Sequence, residues 1–131
     1  MITNEMKSHF MNLYHMVLAD DTVKPEELIQ VYEIGKRHGV SEDEFNKLLC
    51  SPIEFVVPDS LEKKITCLYE LCEIILADGE IDDTEILALK RYCLKFGFEQ
   101  DNIDGISNYM IGSVQAGKSI DDVIKEITEE I

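Results

Sequence analysis

The chain has 131 residues, of which 45% are hydrophobic and 30% are charged. This composition is typical of a folded protein, and the length suits one domain, because two would each be too small for a good core. The 27 acidic and 12 basic residues give a formal charge of −15. Such a surface repels phosphate, which disfavours nucleic acid and anionic lipid as partners.

The N-terminal segment and the cysteines predict a cytoplasmic protein. The segment MITNEMKSHFMNLYHMVLADD has no basic start, long apolar run or small-residue cleavage site of the kind that marks a signal peptide. The most apolar stretch, 65–77, carries Glu70 and Glu73 and is shorter than the roughly 18–20 residues of a membrane span. No cysteine pair has C-x-x-C spacing, which favours free thiols in a reducing compartment. We therefore expect no direct membrane insertion.

The helices can be predicted in chain order from their start and stop signals. Pro25 suits a first helical position, Ser41 and Glu44 form a capping box, and Asp82 is a good N-cap. Glycines at 39 and 97 suit left-handed helix ends. The predicted helices cover about residues 4–19, 25–38, 42–50, 60–77, 83–96, 102–112 and 119–131. The fold class is therefore all-α, a single-domain bundle of about seven helices.

The chain also contains an internal repeat. Residues 13–45 align without gaps on residues 71–103, at an offset of 58. Apolar residues meet apolar residues in the columns that a helix would bury, so each copy is predicted to be a helix, an acidic turn and a second helix. The two pseudo-symmetric helix–turn–helix units span about residues 10–50 and 60–112, with a connector at 51–59.

The first helix of the second unit is the most apolar. In ITCLYELCEIILA the polar residues are Thr66, Glu70 and Glu73, whose spacing predicts one narrow solvated stripe. A helix that is apolar around the rest of its girth belongs at the centre of a bundle.

The turn at 78–85, DGEIDDTE, holds five carboxylates among eight residues. It is not an EF-hand, because Ile74 and Leu76 would occupy the first two ligand positions. A smaller site for calcium or magnesium remains open, in which Asp78, Asp82 and Glu85 converge on one ion. The alternative is that Asp82 and Glu85 cap the following helix while the other acids are solvated.

The motif LADGEIDDTE (76–85), within paired helical hairpins that end at an F-G step, resembles the tellurite-resistance TerB-like domain. A related domain occurs at the front of some membrane-associated J-domain co-chaperones. The resemblance extends from about Phe10 to Ile131. It implies an all-helical fold whose acidic residues bind metal ions or serve as interaction surfaces in stress-response complexes. The metal positions it implies are Asp78, Glu80, Asp82 and Glu85, with a weaker first-unit counterpart at Asp20 and Glu27.

The first unit departs from this motif. Asp21 stands where the second unit has Gly79, and Lys24-Pro25 replaces the acidic pair Asp82-Asp83. Two equal metal sites are therefore not expected.

No enzymatic motif is present. The sequence has no G-x-S-x-G, Walker loop, G-x-G-x-x-G or H-E-x-x-H pattern. His9, His15 and His38 are interpreted as ordinary polar or helix-capping residues, and we expect the protein not to be an enzyme.

Two functions therefore remain. The first is a stress-response adaptor whose acidic face docks a basic protein partner. A membrane-associated complex is one setting for such an adaptor. That face would consist of Asp78, Glu80, Asp82 and Asp83. Its charge asymmetry supports this function: residues 1–58 carry ten acids and five bases, whereas 59–131 carry seventeen and seven. The second is a divalent-cation sensor that uses the turn at 78–85.

Overall fold

The computed structural model describes residues 2–19 and 23–129 and is helical, without strands, in these ranges. A 3₁₀ turn, Gln100–Asn102, precedes the sixth helix. The all-α, single-domain prediction is confirmed. The seven helices of the described residues are α1 (Asn4–Val17), α2 (Pro25–Arg37), α3 (Glu42–Leu49), α4 (Leu61–Ile75), α5 (Asp83–Lys95), α6 (Ile103–Gln115) and α7 (Ile120–Glu129).

The helix ends follow the local signals. Ser41 and Glu44 form the predicted capping box of α3, and Asp82 Oδ1 accepts a hydrogen bond from the Thr84 N–H at 2.8 Å. α6 extends beyond its predicted end at Gly112, because the glycine that takes the left-handed conformation after it is Gly117, with a φ of 77°. The predicted end of α7 at Ile131 lies outside the described residues.

α4 is the central helix, as its apolar girth predicts. It packs against α1, α2, α5, α6 and α7. Leu68, Leu71, Ile74 and Ile75 on this helix are fully buried. The burial of each such large apolar side chain stabilises the bundle by roughly 1.5–3 kcal/mol.

The prediction that a solvated stripe runs along α4 is wrong at Glu70. This side chain is fully buried, whereas Thr66 and Glu73 are half-buried. Glu70 faces polar groups of α1 and of the end of α2, which supply the hydrogen bonds that water would otherwise provide. Periodicity within one helix cannot identify such partners on other helices.

None of the helices in the described ranges combines the length and the hydropathy that crossing a membrane requires. The division into two repeat units, at 10–50 and 60–112, stays a prediction from the sequence.

Candidate functional site

The acidic turn divides its carboxylates between solvent and the protein interior. Glu80 and Asp83 are exposed, and Asp82 caps α5 through the Thr84 N–H. Glu85 turns inward and is almost fully buried. Capping, one of the two interpretations of this turn, is thus confirmed for Asp82, while Glu85 lies in the interior.

Lys24 connects the two halves of the chain at this point. It precedes α2, and its Nζ lies 3.2 Å from Asp78 Oδ2 and 3.8 Å from Glu85 Oε1. Its ammonium group supplies positive charge between two carboxylates of the second unit. Asp20, the predicted counterpart of Asp78, lies outside the described residues.

The centre of the site is a pair of buried glutamates. Glu27 is 0% exposed and Glu85 is 1% exposed, and they occupy the same column of the sequence repeat. Burial, followed by a hydrogen bond to Glu85 and the negative charge of that group, raises the pKa of Glu27 to about 9. Two neighbouring buried carboxyl groups cannot both be ionised at low cost, so Glu27 holds a proton at neutral pH.

The surrounding protein provides few hydrogen bonds to the Glu27 carboxyl group. Neither of its oxygens accepts a hydrogen bond from a donor among the described residues. A buried polar group without such a donor costs roughly 1–3 kcal/mol. Protonation relieves only part of this cost, and a bound cation would relieve it more completely.

Asp78, at the edge of the pair, is ionised. Partial burial raises the pKa of Asp78, but the Glu80 N–H, which donates to its Oδ1 at 3.0 Å, and the Lys24 ammonium lower it below its ordinary value. Three carboxyl groups and one ammonium therefore meet where the acidic turn approaches the start of α2. Oxygen ligands of this type suit hard cations such as calcium and magnesium.

The sequence contained one unused signal for this arrangement. Glu27 and Glu85 are identical residues in equivalent columns, each three residues after Lys24 or Asp82. If the two predicted repeat units pack about a pseudo-twofold axis, equivalent residues lie close together, so the repeat predicts this pairing. The local motif alone groups Glu85 with its sequence neighbours Glu80 and Asp82 and does not predict the contact with Glu27.

A second polar cluster was missed because its members come from distant segments. The structure brings His9 and His38 to Glu70, so that all three can share one ligand. The histidines were expected to have ordinary polar or capping roles. His38 does follow the last residue of α2 as its C-cap, but its ring also contacts Glu70.

The chain matches no known family model, no curated protein and no solved structure. The resemblance to the TerB-like domain therefore stays a hypothesis based on the motif at 76–85.

Proposed function

We propose that this chain is a non-enzymatic helical module that binds a divalent cation, calcium or magnesium, between α2 and the acidic turn. The ligands would be the carboxylates of Glu27, Asp78 and Glu85. The observation that supports this proposal most directly is the fully buried Glu27 carboxyl, which lies against Glu85 without a described hydrogen-bond donor. The resemblance to the TerB-like domain favours the same function.

Binding of a divalent cation would replace two positive charges that the site now holds, the Lys24 ammonium and the proton on Glu27. The Lys24 ammonium contacts Asp78 and Glu85, so a divalent ion would compete with it for their oxygens. The ion would also displace the proton that the raised pKa places on Glu27. Since Glu27 lies in the first turn of α2 and Glu85 in that of α5, the ion would connect these two helix starts. This connection is the physical basis of a sensor function.

Thermal unfolding with added calcium or magnesium tests the proposal. A ligand at 100 times its Kd adds about 2.7 kcal/mol of stability, which corresponds to a rise in Tm of several degrees for a chain of this size. We expect the rise for the wild-type protein and not for Glu85→Gln or Asp78→Asn.

Asp83→Asn is the matched control, because Asp83 belongs to the same turn but is exposed. It should keep the full response to the cation. An unchanged wild-type Tm at millimolar calcium and magnesium, or an equal rise in all variants, would contradict the proposal.

The adaptor function is a second candidate, supported by exposed apolar side chains near the acidic turns. Val23 and Ile81 occupy equivalent columns of the repeat and are 52% and 44% exposed. Ile29 and Leu87 form a second such pair, at 61% and 50%. Exposed apolar groups beside acidic ones suit a basic, amphipathic partner segment.

A pull-down from cell extract at low and high salt tests the adaptor function. The variant Asp78→Asn/Glu80→Gln/Asp82→Asn should lose a salt-sensitive partner that the wild-type protein retains. The matched control, Glu42→Gln/Asp43→Asn/Glu62→Gln, removes three exposed acids elsewhere and should keep it. Equal binding by both variants would count against this face.

A further inference from the structure

Two imidazoles and one carboxylate meet in the interior, away from the acidic turn. His9 lies on α1, His38 follows α2, and Glu70 lies on α4. His9 Nε2 is 2.7 Å from Glu70 Oε1, and His38 Nε2 is 2.9 Å from both oxygens of Glu70. The potential ligand atoms of the three residues all lie within 4.8 Å of one another.

The carboxylate of this cluster is held in place by side chains from three other parts of the fold. His9 and His38 contact it from α1 and from the end of α2. Arg37 Nη2 donates to Glu70 Oε2 at 2.8 Å and also contacts Glu73. A carboxylate whose second oxygen is fixed by an outer hydrogen bond is typical of metal sites.

The cluster borders a cleft of about 470 Å³. His9, His38 and Glu70 all line it, together with Thr66 and Cys67. An ion bound by the three side chains could therefore exchange with solvent and accept a small ligand from the cleft.

The cluster does not follow from the internal repeat. At the 58-residue offset, the positions equivalent to His9, His38 and Glu70 hold Cys67, Phe96 and Asn12. The symmetry that pairs Glu27 with Glu85 thus gives no reason for two histidines to surround Glu70. Hydrophobic packing gives none either, because burying a charged group costs free energy unless it is fully paired.

We propose that this cluster binds zinc or a similar divalent transition-metal ion. The ligand atoms are His9 Nε2, His38 Nε2 and Glu70 Oε1. Imidazole nitrogen favours zinc and its transition-metal neighbours over calcium and magnesium. Bonds of 2.0–2.1 Å in a tetrahedral site place the ligand atoms about 3.3 Å apart. The distances from Glu70 Oε1 to His9 Nε2 and His38 Nε2, now 2.7 and 2.9 Å, would therefore open by a few tenths of an ångström.

Metal binding would change the hydrogen bonds of the cluster without breaking its outer contacts. Each imidazole would carry its proton on Nδ1 and present Nε2 to the ion. Arg37 would keep its bond to Glu70 Oε2 as an outer partner. Three protein ligands leave a fourth position for water or a small ligand, as in open zinc sites.

Cobalt(II) absorption and zinc competition test this site. Chelator-treated protein is titrated with Co²⁺ and then with Zn²⁺, and the visible bands report cobalt bound at an imidazole-containing site. We expect one equivalent of cobalt to bind with saturable visible bands, which zinc then removes. Since losing an outer-shell partner weakens metal binding by roughly 10–100-fold, His38→Gln and His9→Gln should weaken it at least about 100-fold.

Three controls separate this site from other metal ligands. His15→Gln removes an exposed histidine of α1 outside the cluster and should leave the titration unchanged. Cys67→Ser tests the thiol that borders the cleft. Glu27→Gln removes a ligand of the proposed calcium or magnesium site, so unchanged cobalt binding in this variant separates the two proposals. His38 is half-buried, so its variant should fold even if His9→Gln does not.

The proposal is overturned if the wild-type protein gives no saturable cobalt bands at millimolar metal, which would leave a buried ion-pair network. It is also overturned if folded His38→Gln binds as tightly as the wild-type protein, or if Cys67→Ser abolishes binding while the histidine variants retain it.

Discussion

Replacing Glu27 by glutamine provides a direct test of the buried acid pair. Glutamine has nearly the same shape as a protonated glutamate and, like it, is uncharged beside Glu85. The variant therefore keeps the packing of the pair but removes its titration. Because the difference between the variant and the wild-type protein depends on pH, it isolates Glu27 from the other titrating groups.

The sign of the effect follows from the raised pKa. Folding raises the pKa of Glu27 from 4.5 to about 9, so the folded chain holds a proton that the unfolded chain has already lost at neutral pH. The stability contributed by this proton is fully present below pH 4.5 and decreases as the pH rises toward 9. The wild-type protein should therefore lose stability from this source between pH 5 and pH 8.

The size of the loss can be bounded. One proton held only by the folded state changes the free energy of unfolding by about 1.4 kcal/mol per pH unit. Three pH units therefore give a ceiling of about 4 kcal/mol. The pKa of about 9 already includes the opposing effect of the Lys24 ammonium, so we expect most of that ceiling, about 3–4 kcal/mol.

Urea unfolding, followed by circular dichroism at pH 5, 6, 7 and 8 in the presence of a chelator, measures this quantity. The stability of Glu27→Gln relative to the wild-type protein should increase by about 3–4 kcal/mol between pH 5 and pH 8. Glu26→Gln is the matched control, since Glu26 is the exposed neighbour on α2, and its difference should stay constant. If the difference in unfolding free energy between Glu27→Gln and the wild-type protein does not change with pH, Glu27 does not hold a proton in the folded state.

Three further predictions concern stability, and urea unfolding checks each of them. Glu70→Gln should cost about 1–3 kcal/mol at pH 7, because it removes the carboxylate that His9, His38 and Arg37 contact in the interior. The pKa of about 2 means that this contribution is present above pH 4.5 and lost as the pH falls toward 2. A variant as stable as Glu73→Gln would contradict it. Asp82→Ala should cost about 0.5–2 kcal/mol through loss of the N-cap of α5, and no loss would show that the Thr84 N–H finds another acceptor. Gly79→Ala should cost about 1–2 kcal/mol, because the φ of 81° at this position is unfavourable for a residue with a Cβ; equal stability would mean that the turn relaxes.

The sequence predicts the fold well because the relevant signals are local. The capping box at Ser41 and the N-cap at Asp82 involve atoms within a few residues of each other, so they can be recognised without knowledge of the fold. The apolar girth of α4 is likewise a property of one helix, and it correctly predicts a central position. Gly112 is an instructive exception: a glycine suggests a helix end, but the helix continues to Gln115 and the left-handed residue is Gly117.

The candidate sites were harder to predict because they depend on contacts between helices. Glu70 has a spacing on α4 that indicates a solvated stripe, yet His9, His38 and Arg37 from other elements enclose it. The sequence places Glu85 in an acidic turn, whereas in the structure it is buried and interacts with Glu27, 58 residues earlier. In both cases the residues that shift the pKa of the carboxyl group are far from it in the sequence, so a local motif does not include them.

An NMR amide titration with calcium and then magnesium tests the central claim, that a divalent cation binds between α2 and the acidic turn. Our account predicts saturable shifts concentrated at residues 79–85 and around Glu27, which are lost in Glu85→Gln. Small, unsaturated shifts spread over all acidic surfaces would instead indicate counterion screening and would contradict the account.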